Sequence, residues 1–97
     1  MAKRQGVTGR PKDLAGPTWP NARLEKDSPV RYAQEITKRL EAAIGNRSLR
    51  EVGRDAGLDH TTISALLSGD RWADFVTLAK LEAALDALLW PFLVLVL

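Results

Sequence analysis

His60-Thr61-Thr62-Ile63-Ser64 sets one imidazole and three hydroxyls within five residues. Such groups donate and accept hydrogen bonds over short distances, which suits them to reading a surface of fixed donors and acceptors. They are also residue types of nucleophilic catalysis, and Asp59 stands directly before them. A hydrolytic site, however, needs a cleft and a second base brought in from elsewhere in the fold. Neighbours on one exposed segment provide neither. The chain has a single His and no Cys, which removes most zinc and triad chemistry and any disulfide framework. The expectation is a non-enzymatic protein without metal, cofactor or small-molecule ligand.

The elements that must position these groups are two short helices joined by a tight turn. Ser48 followed by Glu51 forms a capping box, in which each side chain satisfies a backbone N–H left unpaired at a helix start. Leu49, Val52 and Ala56 then share one face at helical spacing. Gly57 can take positive φ and end this helix, and Asp59 caps the next. Ile63, Leu66 and Leu67 form the apolar stripe of the second helix, His60, Thr61, Ser64, Ala65 and Ser68 turn away from it, and Gly69 stops it. Helices this short are not stable alone, so both must bury their stripes in a common core. The outward face then carries small hydroxyls in place of the Lys and Glu of an ordinary solvated helix. Short polar side chains near a helix N-terminus are what a DNA major groove accepts against base edges.

The run Glu51-Val52-Gly53-Arg54-Asp55-Ala56-Gly57-Leu58-Asp59-His60-Thr61-Thr62-Ile63-Ser64, closing with Leu67-Ser68-Gly69-Asp70-Arg71, resembles the helix-turn-helix of the Cro and lambda-repressor-like (Xre) family of DNA-binding proteins. Gly57 matches the turn glycine and Leu58 the apolar residue after it. Thr61-Thr62-Ile63-Ser64 matches the core of the recognition helix, and Gly69 and Arg71 match the glycine and basic residue beyond it. The likeness covers residues 29 to 90. It departs from the family at Gly53, where Ala is usual, at Leu49 and Arg50, where many members carry a Gln that touches DNA, and at Leu67, which replaces a common Glu. The family usually has a fifth helix, where this chain ends in an apolar tail. The resemblance implies an all-α, compact four-helix lambda-repressor-like domain that binds double-stranded DNA.

The rest of the chain is read against that expectation. Its 97 residues allow one small domain. Residues 1–27 are rich in Gly, Pro and charge and are expected to be a flexible basic arm, with Trp19 as an exception that packs back on the body. The basic Met-Ala-Lys-Arg-Gln start is not followed by an apolar stretch, so a signal peptide is not expected. Ser28-Pro29 opens a helix bearing Val30, Ala33, Ile36, Leu40 and Ile44, ended by Gly45. Asp74 caps a last helix whose apolar residues run from Phe75 through Leu78, Leu81 and Leu85 to Leu88 and Leu89, with Trp90-Pro91 ending it. Trp72 is expected to pack under the preceding loop. Residues 91–97 form a short apolar tail, its Phe92–Leu97 segment of strand-favouring residues far too short to cross a membrane. The tail must pack on the body, pair with another copy or aggregate.

The net charge of +2 is unevenly distributed, +4 over residues 1 to 26 and −2 beyond. The folded body is therefore not a generally basic particle, and any grip on phosphates must be local. The expectation is a cytoplasmic, nucleoid-associated transcriptional regulator binding double-stranded DNA. His60, Thr61, Thr62, Ser64 and Ala65 would lie nearest the base edges, and Arg47, Arg50, Ser68 and Arg71 would contact phosphates. Pairing of two copies through the last helix and the tail, giving a homodimer, is one of the arrangements open to the chain. The alternative is a protein-interaction module, such as an antitoxin-like partner or adaptor, that keeps the fold without reading DNA.

Overall fold

The computed structural model describes residues 9–91. Five helices follow in order, α1 (Pro11–Ala15), α2 (Pro29–Ile44), α3 (Leu49–Ala56), α4 (His60–Ser68) and α5 (Phe75–Leu85), with no strand among the described residues. Four of the starts are set by side-chain caps. Ser28 accepts from the Val30 N–H, Ser48 from Glu51, Asp59 from Thr61 and Asp74 from Thr77, each satisfying a donor that the first helical turn cannot. Gly57 and Gly69 end α3 and α4 in the left-handed conformation at φ 71° and 78°, where a Cβ is costly.

One core joins the longer helices. Leu40 of α2, Val52 of α3, Ile63 of α4 and Leu81 of α5 are fully enclosed together with Leu89, with Ile36, Ile44, Leu66 and Leu78 around them. Burying each such side chain is worth about 1.5–3 kcal/mol, enough to hold α3 and α4, which lack the length to persist alone. α3 packs on both α4 and α5, α2 on α4, and α1 on α2. The buried polar side chains are bonded. The Gln34 amide accepts from the Ala22 N–H at 2.9 Å and donates to the Ala22 carbonyl at 3.1 Å, and the Thr37 hydroxyl donates to the Leu66 carbonyl at 3.2 Å.

Two features differ from the sequence expectation. The segment read as a flexible arm is folded over its described residues, 9–27, and contributes a fifth helix. Pro11 stands at the first helical position and is buried, and the chain after α1 docks through Trp19 and Ala22. Its glycines and prolines do break any period, but the segment folds by bonding to groups on the body, a mode that periodicity does not register. The second difference is at α5, which ends at Leu85, short of the Trp90-Pro91 stop. Asp86 takes the left-handed conformation (φ 51°) and the Ala87 N–H bonds back to the Glu82 carbonyl at 3.2 Å. One Glu82 carboxylate oxygen then accepts the N–H groups of Leu89 at 2.8 Å and Trp90 at 3.1 Å. The chain turns back on itself, and Leu89 enters the core from outside the helix. The expected apolar strand Phe92–Leu97 lies outside the described residues. No helix among the described residues is long and apolar enough to cross a membrane.

Candidate nucleic-acid interface

α3, the Gly57 turn and α4 form a helix-turn-helix unit whose inner faces meet at very close range. An added Cβ on Gly53 would stand 2.6 Å from the Leu58 carbonyl oxygen and 3.3 Å from the His60 nitrogen. The Leu58 N–H also bonds the Gly53 carbonyl at 2.8 Å. Gly53, a departure from the family pattern on sequence, thus has a local cause: the turn passes directly over it.

On the outer side of α4, Thr61 and Ser64 are exposed while His60, Thr62 and Ala65 are half-buried. Their hydroxyls are not equivalent. Thr61 donates through its hydroxyl to Asp59 at 2.7 Å and through its N–H to the same oxygen at 2.8 Å. These two bonds hold the Asp59 carboxyl below its ordinary value of 3.8 and use the Thr61 proton, leaving that side chain its methyl group and acceptor lone pairs. The Thr62 and Ser64 hydroxyls bond to no side chain or backbone group among the described residues. His60 Nδ1 lies 3.7 Å from Asp59. The polar groups left for an outside partner are therefore Thr62, Ser64 and the imidazole, with Thr61 offering its methyl group.

The four residues expected at phosphates divide in the same way. Arg50 is exposed and, like Arg54 on the same helix, makes no ion pair among the described residues. Arg47 is committed to carboxylates, bonding Asp55 directly and lying 3.8 Å from Glu51. Arg71 lies 3.6 Å from Asp74. Ser68 donates to Asp70 at 2.6 Å, its oxygen also lying 3.3 Å from the Ala65 carbonyl. Exposed ion pairs of this kind are worth about 0–1 kcal/mol, so a phosphate can displace them.

The far end of α4 is held by Trp19 and by bonds that residue spacing does not register. The Asp70 N–H bonds the Ala65 carbonyl at 2.8 Å, the Gly69 N–H the Leu66 carbonyl, and the Trp19 indole N–H the Leu67 carbonyl at 3.1 Å. The Lys12 N–H bonds the Gly69 carbonyl at 3.0 Å. Arg10 and Lys12 flank the Asp70 carboxylate at 3.2 and 2.6 Å; Lys12 first, then Ser68, hold its carboxyl below the usual range. The Trp72 indole N–H reaches back to the Gly9 carbonyl at 3.0 Å. Trp19 thus packs back as expected, and Trp72 packs against the N-terminal segment. The legible signals were the two tryptophans themselves. The pairing of Lys12 and Arg10 with Asp70, some sixty positions away, leaves no trace in spacing.

Comparisons with family models, curated proteins and solved structures returned no match to this chain.

Proposed function

We propose that this protein is a sequence-selective binder of double-stranded DNA with a lambda-repressor-like helix-turn-helix, acting as a transcriptional regulator at the nucleoid in the cytoplasm. The observation that carries the proposal is the outer edge of α4. It presents short hydrogen-bonding side chains, of which Thr62 and Ser64 have no side-chain partner among the described residues, on a helix fixed by Ile63 and Leu66 in the core and by caps at both ends. A rigid support for a row of small donors and acceptors is what base-edge reading in a major groove requires. In this reading His60, Thr61, Thr62, Ser64 and Ala65 face the bases. Arg50 supplies the phosphate contact most directly, and Arg47, Ser68 and Arg71 join by exchanging carboxylate partners for phosphate oxygens. Two copies associated through α5 would place half-sites roughly one helical turn, about 34 Å, apart.

A second reading has an observation of its own. Phe75, Val76 and Leu88 are 78%, 64% and 54% exposed, an apolar surface on the α5 side that fits a protein partner, as in an antitoxin-like module or adaptor. Selection of bound duplexes from a random pool separates the readings. Enrichment of a defined site, with affinity falling steeply as salt rises, is the expected result. Recovery of unselected sequence with no salt-dependent retention would leave the interaction module as the better account.

A further inference from the structure

All three tryptophans of the chain, Trp19, Trp72 and Trp90, converge with Tyr32 on one half-open cavity of about 210 Å³ between α2 and the link after α4. Ala33 and Ile36 of α2 also line it. The site has no part in the base-reading edge. Two of its indoles have already spent their N–H groups outward, Trp19 on the Leu67 carbonyl and Trp72 on the Gly9 carbonyl, so what these walls offer an occupant is aromatic surface. Among the described residues Arg71 is the one charged side chain in the lining, paired there only with Asp74 at 3.6 Å and 45% exposed.

We propose that this cavity binds a small planar aromatic carboxylate, its ring between the indoles and its carboxylate on Arg71. Size and chemistry both point there. A dry cavity on the order of 150 Å³ holds a benzene ring, so 210 Å³ takes one ring with a short acidic substituent. Aromatic faces favour offset or edge-on ring contact, and a guanidinium with unsaturated donors selects a carboxylate over a neutral or cationic group. The walls also tie the site to α4, because Leu66 and Trp19 both touch it and Trp19 holds the last turn of that helix. Occupation therefore tightens the N-terminal segment on the end of α4.

The test is titration of the full-length, ¹⁵N-labelled chain with phenylacetate, and in parallel with benzylamine and benzyl alcohol, following the three indole N–H resonances. The expected result is saturable movement of the Trp19 and Trp72 signals by phenylacetate in the sub-millimolar to millimolar range, consistent with the small number of ligand atoms. Benzylamine should bind at least tenfold more weakly. Ala33→Leu, which fills the cavity, should abolish the shifts while leaving the rest of the spectrum in place, and Arg71→Gln should erase the preference for the acid over the alcohol. Absence of saturable shifts, equal binding of the amine, or shifts that survive Ala33→Leu would overturn the proposal. So would nuclear Overhauser contacts from the cavity tryptophans to methyl groups of Leu93–Leu97, from the same chain or a second copy, since these would make the apolar tail the occupant.

Discussion

Individual side chains on α4 and α3 carry distinguishable consequences. The Ser64 hydroxyl bonds no protein group among the described residues, so in the proposed complex Ser64→Ala removes a base contact and nothing else. It should cost about 1–3 kcal/mol of discrimination between the selected and a scrambled duplex, read by competitive titration; equal losses on both would remove Ser64 from the reading edge. Arg50→Gln should weaken all duplexes alike and reduce the salt slope by about one. Arg47→Gln should do so less, because Asp55 and Glu51 already hold that guanidinium. Gly53→Ala tests the turn. The new methyl meets backbone at 2.6 Å, and an overpacking cost of about 1–3 kcal/mol should exceed the helix-propensity gain of about 1 kcal/mol, lowering the urea midpoint. At this scale the outward-facing residues were readable from the 3.6-residue period, but the state of each hydroxyl was not. Thr61 and Ser64 look alike in a string of letters, and only the cap geometry at Asp59 sets them apart.

Helices were legible where each carries its own punctuation. Ser28-Pro29, Ser48 with Glu51, Asp59 and Asp74 mark starts, and Gly45, Gly57 and Gly69 mark ends, all of them where the sequence places them. α1 and the end of α5 were not legible because their determinants are distant or conditional. α1 is too short to show a period and is fixed by bonds to α4's end, while α5 ends at the left-handed Asp86 and the Glu82 carboxylate takes the Leu89 and Trp90 N–H groups that further helix would have bonded. Glu82→Ala should therefore lower stability by about 1–3 kcal/mol, leaving two N–H groups without their acceptor, whereas Glu82→Gln keeps an oxygen there and should cost little. Equal effects of the two in chemical denaturation would remove the carboxylate from its capping role. The caps also set an acid limit. The carboxyls of Asp59 and Asp74 are held below their ordinary 3.8, chiefly by the Thr61 hydroxyl and the Thr77 N–H respectively. A depressed folded-state value means the stabilisation is complete above the ordinary value and disappears as pH falls from there through the lower one. Melting temperature should thus decline below about pH 4, and Asp59→Asn with Asp74→Asn should flatten that decline.

For the molecule as a whole, charge argues for local recognition. The net charge is only +2, and two of the four arginines on or beside α3 and α4, Arg47 and Arg71, face a carboxylate, so in the proposed complex long-range attraction is weak and affinity comes from matched contacts or from two copies acting together. In the proposed pairing through α5, Val76→Asp places a charge beside Phe75 at the exposed start of that helix and should convert a dimer to a monomer in sedimentation, weakening binding to a two-half-site duplex while leaving single half-site affinity unchanged. The compact all-helical body was predictable from apolar periodicity and length. The junction of the N-terminal segment with the end of α4 was not, because it depends on hydrogen bonds between residues far apart in the chain. The most direct measurement of the central claim is amide chemical-shift mapping of the intact protein with its selected duplex. The largest changes should fall on residues 60 to 68 and on the start of α3 around Arg50. Changes concentrated instead at Phe75, Val76 and Leu88, with residues 60 to 68 unmoved, would contradict it.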